Sequence, residues 1–146
     1  MDTSELLHDA ATRAAHYLAG LRERSVQPTM AAVDSLRRLA EPLPDVGSAP
    51  EEVLALLDEV VSPATMGMAG PRFFGFVIGG ALPVTLAANL LATAWDQNSA
   101  LHEVTPGTAT LETVTLGWLR ELFGLPRAVS GGFVTGATMA NATALA

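Results

Sequence analysis

Cysteine is absent from the 146 residues, and so is lysine. Without cysteine there is no disulfide framework and no thiolate metal site. Without lysine no side chain here can form a Schiff base, and a P-loop would lack the lysine that reaches its phosphates. Positive charge is scarce altogether, with 8 basic residues, every one an arginine, against 15 acidic ones. The resulting net charge of −7 argues against nucleic acid and against anionic membrane surfaces as partners. Met1-Asp-Thr-Ser-Glu is acidic where a secretory signal is basic, and no apolar core follows it. The expectation is a cytoplasmic protein.

What is present is apolar: 49% of residues are hydrophobic and only 16% are charged, typical of a globular chain with a real core rather than a disordered one. Residues 4 to 24 place Leu6, Leu7, Ala10, Ala14, Tyr17, Leu18 and Leu21 at helical spacing, which predicts a packing helix. His8 and His16 share that helix without a third ligand nearby, so they read as surface residues rather than a metal pair. Pro28, Pro42, Pro44 and Pro50 then punctuate the chain, leaving room for a short helix from Thr29 or Met30 to Leu39. Ser48 and Glu51 have capping-box spacing around Pro50 and open a helix to about Val61, with Val53, Leu54, Leu57 and Val60 or Val61 inward. Ser62-Pro63 stops it.

From Phe73 to Trp95 there are 23 residues without a charge, a length that would cross a bilayer. Gly75, Gly79-Gly80, Pro83 and Asn89 break the run, and no basic flank marks a cytoplasmic side. The run is therefore read as buried, with an extended half at Phe73–Gly80 and a helix from about Pro83. The aromatic and glycine mixture of the extended half suits a pocket wall or ordinary core packing equally. Thr105-Pro106 starts the clearest helix, with Leu111, Val114, Thr115, Trp118, Leu119 and Leu122 as its inner face and Gly124 with Pro126 as its stop. Glu112, Arg120 and Glu121 read as solvated. His102-Glu103 is too small a constellation to argue acid–base chemistry.

The last sixteen residues carry the most chemistry. Phe133-Val134-Thr135 is β-favouring and bounded by glycines, Gly136-Ala137-Thr138 is a small-residue turn, and helix formers follow from Met139. A strand feeding a helix through such a turn leaves the first helical N–H groups free, a site suited to a phosphate, with the Thr138 hydroxyl as a further donor. Gly131 to Thr138 superficially fits G-x-x-x-x-G-x-T, but Ala137 stands where a P-loop needs lysine, and no G-x-G-x-x-G is present. No glycine or asparagine cap closes the final helix, which reads as a protein whose second half is missing.

Four ordered segments resemble the group II pyridoxal-phosphate-dependent decarboxylases, the family of aromatic-L-amino-acid and glutamate decarboxylases. They are Pro71-Arg-Phe-Phe-Gly-Phe, Thr105-Pro-Gly-Thr-Ala-Thr-Leu-Glu112, Trp118-Leu-Arg-Glu-Leu-Phe-Gly-Leu-Pro126 and Gly132-Phe-Val-Thr-Gly-Ala-Thr-Met-Ala-Asn141. The resemblance implies an α/β protein: the N-terminal portion of a fold type I, aspartate-aminotransferase-like transferase fold, truncated and mostly helical in the part present. It implies a helical extension over 1–69 and the start of the cofactor domain over 70–146. It assigns the phosphate of pyridoxal 5′-phosphate to Gly136, Ala137 and Thr138. It places Phe76, Val77, Ile78 and Gly79, with Asn98 and Leu101, in the pocket for an amino-acid substrate. Asn98 to Leu101 would reach the neighbouring subunit of a homodimer, making Trp95-Asp96 interfacial.

The family pocket is more aromatic than Phe76-Val77-Ile78, so the substrate stays open, as does decarboxylation against oxidative deamination. The family's lysine, aspartate and ring-stacking histidine would all lie beyond Ala146, so no catalytic residue is expected here and this chain alone should be inactive. No membrane, nucleic acid or metal enters this reading. The competing expectation is a non-catalytic module that binds phosphate, or one that pairs with a complete subunit.

Overall fold

Proline and glycine positions set most of the helix boundaries. The computed structural model describes residues 1–98 and 101–146. They form two units, Met1–Pro83 and Val84–Ala146.

In the first unit α1 (Thr3–Gly20) opens on a complete capping box: Asp2 Oδ1 accepts from the Glu5 N–H and Glu5 Oε2 accepts from the Asp2 N–H, both at 2.8 Å. Thr29 caps α2 (Met30–Ser35), and the tighter turn Leu36–Leu39 extends it. α3 (Pro50–Leu56) starts one residue later than the Ser48–Glu51 spacing predicts. Its cap position is Ala49, whose N–H donates to Glu52 Oε2 at 3.3 Å. Alanine has no acceptor to return that bond, so half of the expected box forms. The helix widens into a π-turn at Leu57–Val61 and tightens again at Ser62–Ala64. Pro63 has no N–H for the carbonyl one turn back, which disrupts the regular ladder there.

Val60 is fully buried and Leu21 nearly so, and they are the buried apolar side chains among the described residues. Polar contacts fasten the elements around them. Arg13 bonds to Asp9 and Asp58 at 2.9 Å, linking α1 to the end of α3. The hydrogen bond from Asp9, with Asp58 adding to it, holds the guanidinium pKa above its ordinary value. Arg24 lies over the Tyr17 ring, 4.8 Å from its centre, and its Nη2 donates to the carbonyls of Ser62 and Thr65. A side chain at Gly70 would meet the carbonyls of Gly67 and Leu21 at 3.2 and 3.3 Å, so glycine lets this turn close onto the end of α1.

The second unit holds α4 (Pro83–Trp95), α5 (Pro106–Leu122) and α6 (Ala137–Leu145). α4 ends with Asp96 in the left-handed region, φ 48°. Pro106 occupies the first turn of α5, and Thr105 before it is held out of helical geometry. The other end of α5 is a Schellman motif: the Gly124 N–H reaches the Glu121 carbonyl at 3.1 Å and the Leu125 N–H reaches the Arg120 carbonyl at 2.9 Å, with Gly124 at φ 63°.

Two expectations are corrected. Gly75–Ile78, inside the expected extended segment Phe73–Gly80, is not extended: the Ile78 N–H bonds to the Gly75 carbonyl at 3.3 Å, and Phe76 and Val77 take φ 56° and 55°. It is a tight turn, for which an apolar, β-branched sequence gives no signal. Phe133–Thr135 is not a strand either, and no strand occurs among the described residues. A strand needs a neighbour for its ladder, and the described residues supply none. The α/β expectation is thus met on its helical side.

The apolar surface is unusually open. The face of α5 expected to point inward is exposed at Leu111, Val114, Trp118 and Leu122. No helix among the described residues is long and apolar enough to cross a membrane.

Candidate functional site

Gly136 begins α6 in an extended conformation, and its carbonyl accepts the first helical bond from the Ala140 N–H at 2.9 Å. By helix geometry the N–H groups of Ala137, Thr138 and Met139 precede any intrahelical acceptor. No side chain caps them. Three threonines in the other helices of this unit fold their hydroxyl back onto the carbonyl four residues earlier: Thr93, Thr113 and Thr115, at 2.7–3.0 Å. Thr138 sits in the first turn, where the carbonyl four residues back belongs to Val134, outside the helix. Its hydroxyl has no hydrogen-bond partner among the described residues. A Cβ built on Gly136 meets nothing within 4 Å, so this side of the turn is open. The start of α6 thus offers three uncapped backbone donors at the positive end of a helix, with the unpartnered Thr138 hydroxyl in the same turn.

The segment leading into the turn is anchored by a residue that sequence reasoning left in solvent. Glu112 on α5 is half-buried, and its Oε1 accepts from the Phe133 N–H at 3.2 Å. The partners lie 21 residues apart, and no local motif announces the pairing. Glu112 and Phe133 also line a cavity of about 500 Å³ with Leu91, Trp95 and Leu111 from α4, its C-terminal end and α5. A second cavity, about 330 Å³, lies between α5 and Leu125–Gly131. Neither is lined by Gly136, Ala137 or Thr138.

The remaining predicted residues fall in two places. Asn98 and Leu101 are gathered around Thr105, which is 5% exposed. The Thr105 hydroxyl donates toward the carbonyls of Asn98 and of Leu101, the latter at 3.1 Å, and the Thr105 N–H reaches the Leu101 carbonyl at 2.9 Å. Ser99 and Ala100, also within the expected intersubunit stretch, lie outside the described residues. Phe76, Val77, Ile78 and Gly79 lie in the first unit, on and just after the tight turn. Val77 is fully exposed and Phe76 is 76% exposed, its ring tilted against Phe73 with centres 6.2 Å apart. His8 Nδ1 lies 2.7 Å from the Ser4 carbonyl on α1, and His102-Glu103 sits on an exposed turn. Among the described residues no three His, Asp or Glu side chains are grouped as a metal site would require.

No family model matches the chain. It is similar to an aromatic-L-amino-acid decarboxylase of Bacillus atrophaeus, 31% identical over 125 residues, which is 86% of this chain and 26% of that protein. It is also similar to an L-2,4-diaminobutyrate decarboxylase of Rhizobium meliloti (strain 1021), 32% identical over 108 residues, 72% of this chain and 21% of that protein. The chain spans about a quarter of the length of these relatives. It is homologous to a part of amino-acid decarboxylases.

Proposed function

We propose that this chain is the N-terminal part of a pyridoxal-phosphate-dependent amino-acid decarboxylase of group II, and that Gly136, Ala137 and Thr138 bind the cofactor phosphate. The observation that carries the reading is the uncapped start of α6 with the unpartnered Thr138 hydroxyl beside it. Similarity to two decarboxylases of different amino acids supports the family over other phosphate binders. When bound, pyridoxal phosphate supplies an electron sink for cleavage of the bond to the carboxylate. The residues present contribute binding and orientation: the three N–H groups and the hydroxyl fix the phosphate and so aim the ring. With no lysine in the 146 residues, the covalent link to the cofactor must come from elsewhere in the working enzyme.

The substrate in this reading is an α-amino acid, held against Phe76, Val77, Ile78 and Gly79, with Asn98 and Leu101 contributed at the border with a second subunit. The exposed apolar surface supports a homodimer, because Phe74, Phe76, Val77, Trp118 and Leu122 need a covering surface.

Equilibrium binding of pyridoxal 5′-phosphate to the chain tests the assignment. Thr138→Val removes one donor and should weaken binding about ten- to a hundredfold, the worth of about 1.5–3 kcal/mol for a hydrogen bond to a charged group. Unchanged affinity in Thr138→Val, or equal affinity for pyridoxal lacking the phosphate, would contradict it.

A further inference from the structure

The approach to the phosphate turn lies along one face of α5. A side chain on Gly131 would come within 3.3 Å of Leu116 Cδ2, and one on Gly132 within 4.0 Å of Glu112 Oε1. The Phe133 N–H then donates to Glu112 Oε1 at 3.2 Å. Glu112 and Leu116 are four apart, hence on the same side of the helix, one turn or about 6 Å along its axis. Residues 131–133 therefore lie beside this face of α5, Gly131 near Leu116 and Phe133 hydrogen-bonded to Glu112. Gly136, where α6 begins, follows three residues later.

Phe133–Thr135 is exposed and has no neighbouring strand among the described residues, so no ladder fixes it. The Glu112 carboxylate gives the Phe133 N–H an acceptor, from a helix whose own ends are fixed by Pro106 and the Gly124 motif.

We infer that Glu112 is a positioning residue for the phosphate turn: its carboxylate, by holding the Phe133 N–H, fixes where Gly136, Ala137 and Thr138 present their donors. This rests on the proposal that the turn takes the phosphate of pyridoxal phosphate. Glu112 touches neither phosphate nor substrate in this account and acts through the backbone.

The test measures the affinity of the 146-residue chain for pyridoxal 5′-phosphate and for pyridoxal, in wild type, E112A and E112Q, with amide exchange followed at Phe133, Val134 and Thr135. In wild type the phosphate-bearing compound binds more tightly, and the Phe133 amide exchanges more slowly than its two neighbours. E112A shrinks that preference about five- to tenfold and brings the Phe133 amide to its neighbours' rate, with helix content by circular dichroism unchanged. E112Q keeps an acceptor oxygen and stays within about twofold of wild type on both readouts, a rescue that general loss of structure would not show. If wild type does not prefer the phosphate-bearing compound, the phosphate-turn reading itself fails. If wild type prefers it and E112A keeps the preference, that reading stands and the role given to Glu112 is overturned. Should E112A not fold, E112Q and the wild-type exchange pattern decide: a Phe133 amide as fast as Val134 in wild type overturns the inference.

Discussion

Replacing Arg24 by alanine should loosen the first unit. Arg24 Nη2 donates to the carbonyls of Ser62 and Thr65 and reaches Thr65 Oγ1 at 3.3 Å, while the guanidinium covers Tyr17 at 4.8 Å. Ser62 and Thr65 lie at the end of the α3 extension, where the Ser62 carbonyl also accepts from the Thr65 N–H at 3.2 Å. The Ser62 carbonyl keeps the Thr65 hydroxyl at 2.8 Å after the change, so it is not orphaned. Half-exposed hydrogen bonds from a charged donor are then worth about 1–2 kcal/mol here, and the ring contact adds about 0.5–1 kcal/mol. The sum is about 2 kcal/mol, roughly a thirtyfold rise in the opening equilibrium. Amide exchange at buried Val60, which reports opening of this end of α3, is the assay. R24A should exchange about thirtyfold faster there than wild type. R24K keeps the charge but not the planar fork and should recover less than half of the loss in free energy. Exchange in R24A within threefold of wild type, or full recovery in R24K, would refute the reasoning.

Two further substitutions test backbone geometry. Gly124→Ala places a side chain at φ 63°, where a Cβ meets nothing within 4 Å; the cost is therefore conformational, about 1 kcal/mol, and a thermal melt followed by Trp118 fluorescence should drop accordingly while Gly124→Asn drops less. Val77→Gly should stabilise the first unit by about 1 kcal/mol, because Val77 sits at φ 55° with its side chain fully exposed and has strain to lose but no packing; a lower midpoint in urea would show that the turn is not populated.

Sequence patterns reported the helices well wherever local chemistry decides. Pro106 and Gly124 bracket α5 as predicted, and Thr29 caps α2 through its own side chain. They failed where the deciding partner is distant or absent. Gly75–Ile78 looks extended because phenylalanine, valine and isoleucine favour strands, yet with no strand among the described residues to pair with, the chain turns on itself. Phe133–Thr135 has strand composition and no ladder. Ser48 and Ala49 differ by one position, within the ordinary uncertainty of a helix start, but only serine could have completed the box. The start of α6 was legible because a helix start is local, although the helix begins at Ala137, two residues before the expected Met139. Its anchor was not, since Glu112 lies a whole helix and loop away and reads as one more surface carboxylate.

The central proposal is that the start of α6 receives the phosphate of pyridoxal phosphate. Titrating the isotopically labelled chain with pyridoxal 5′-phosphate and following backbone amide resonances tests it most directly. The account predicts that the largest shifts fall on the N–H groups of Ala137, Thr138 and Met139, and that inorganic phosphate moves the same three in the same direction. Shifts centred elsewhere in the chain, or none at these three amides at saturating ligand, would contradict it.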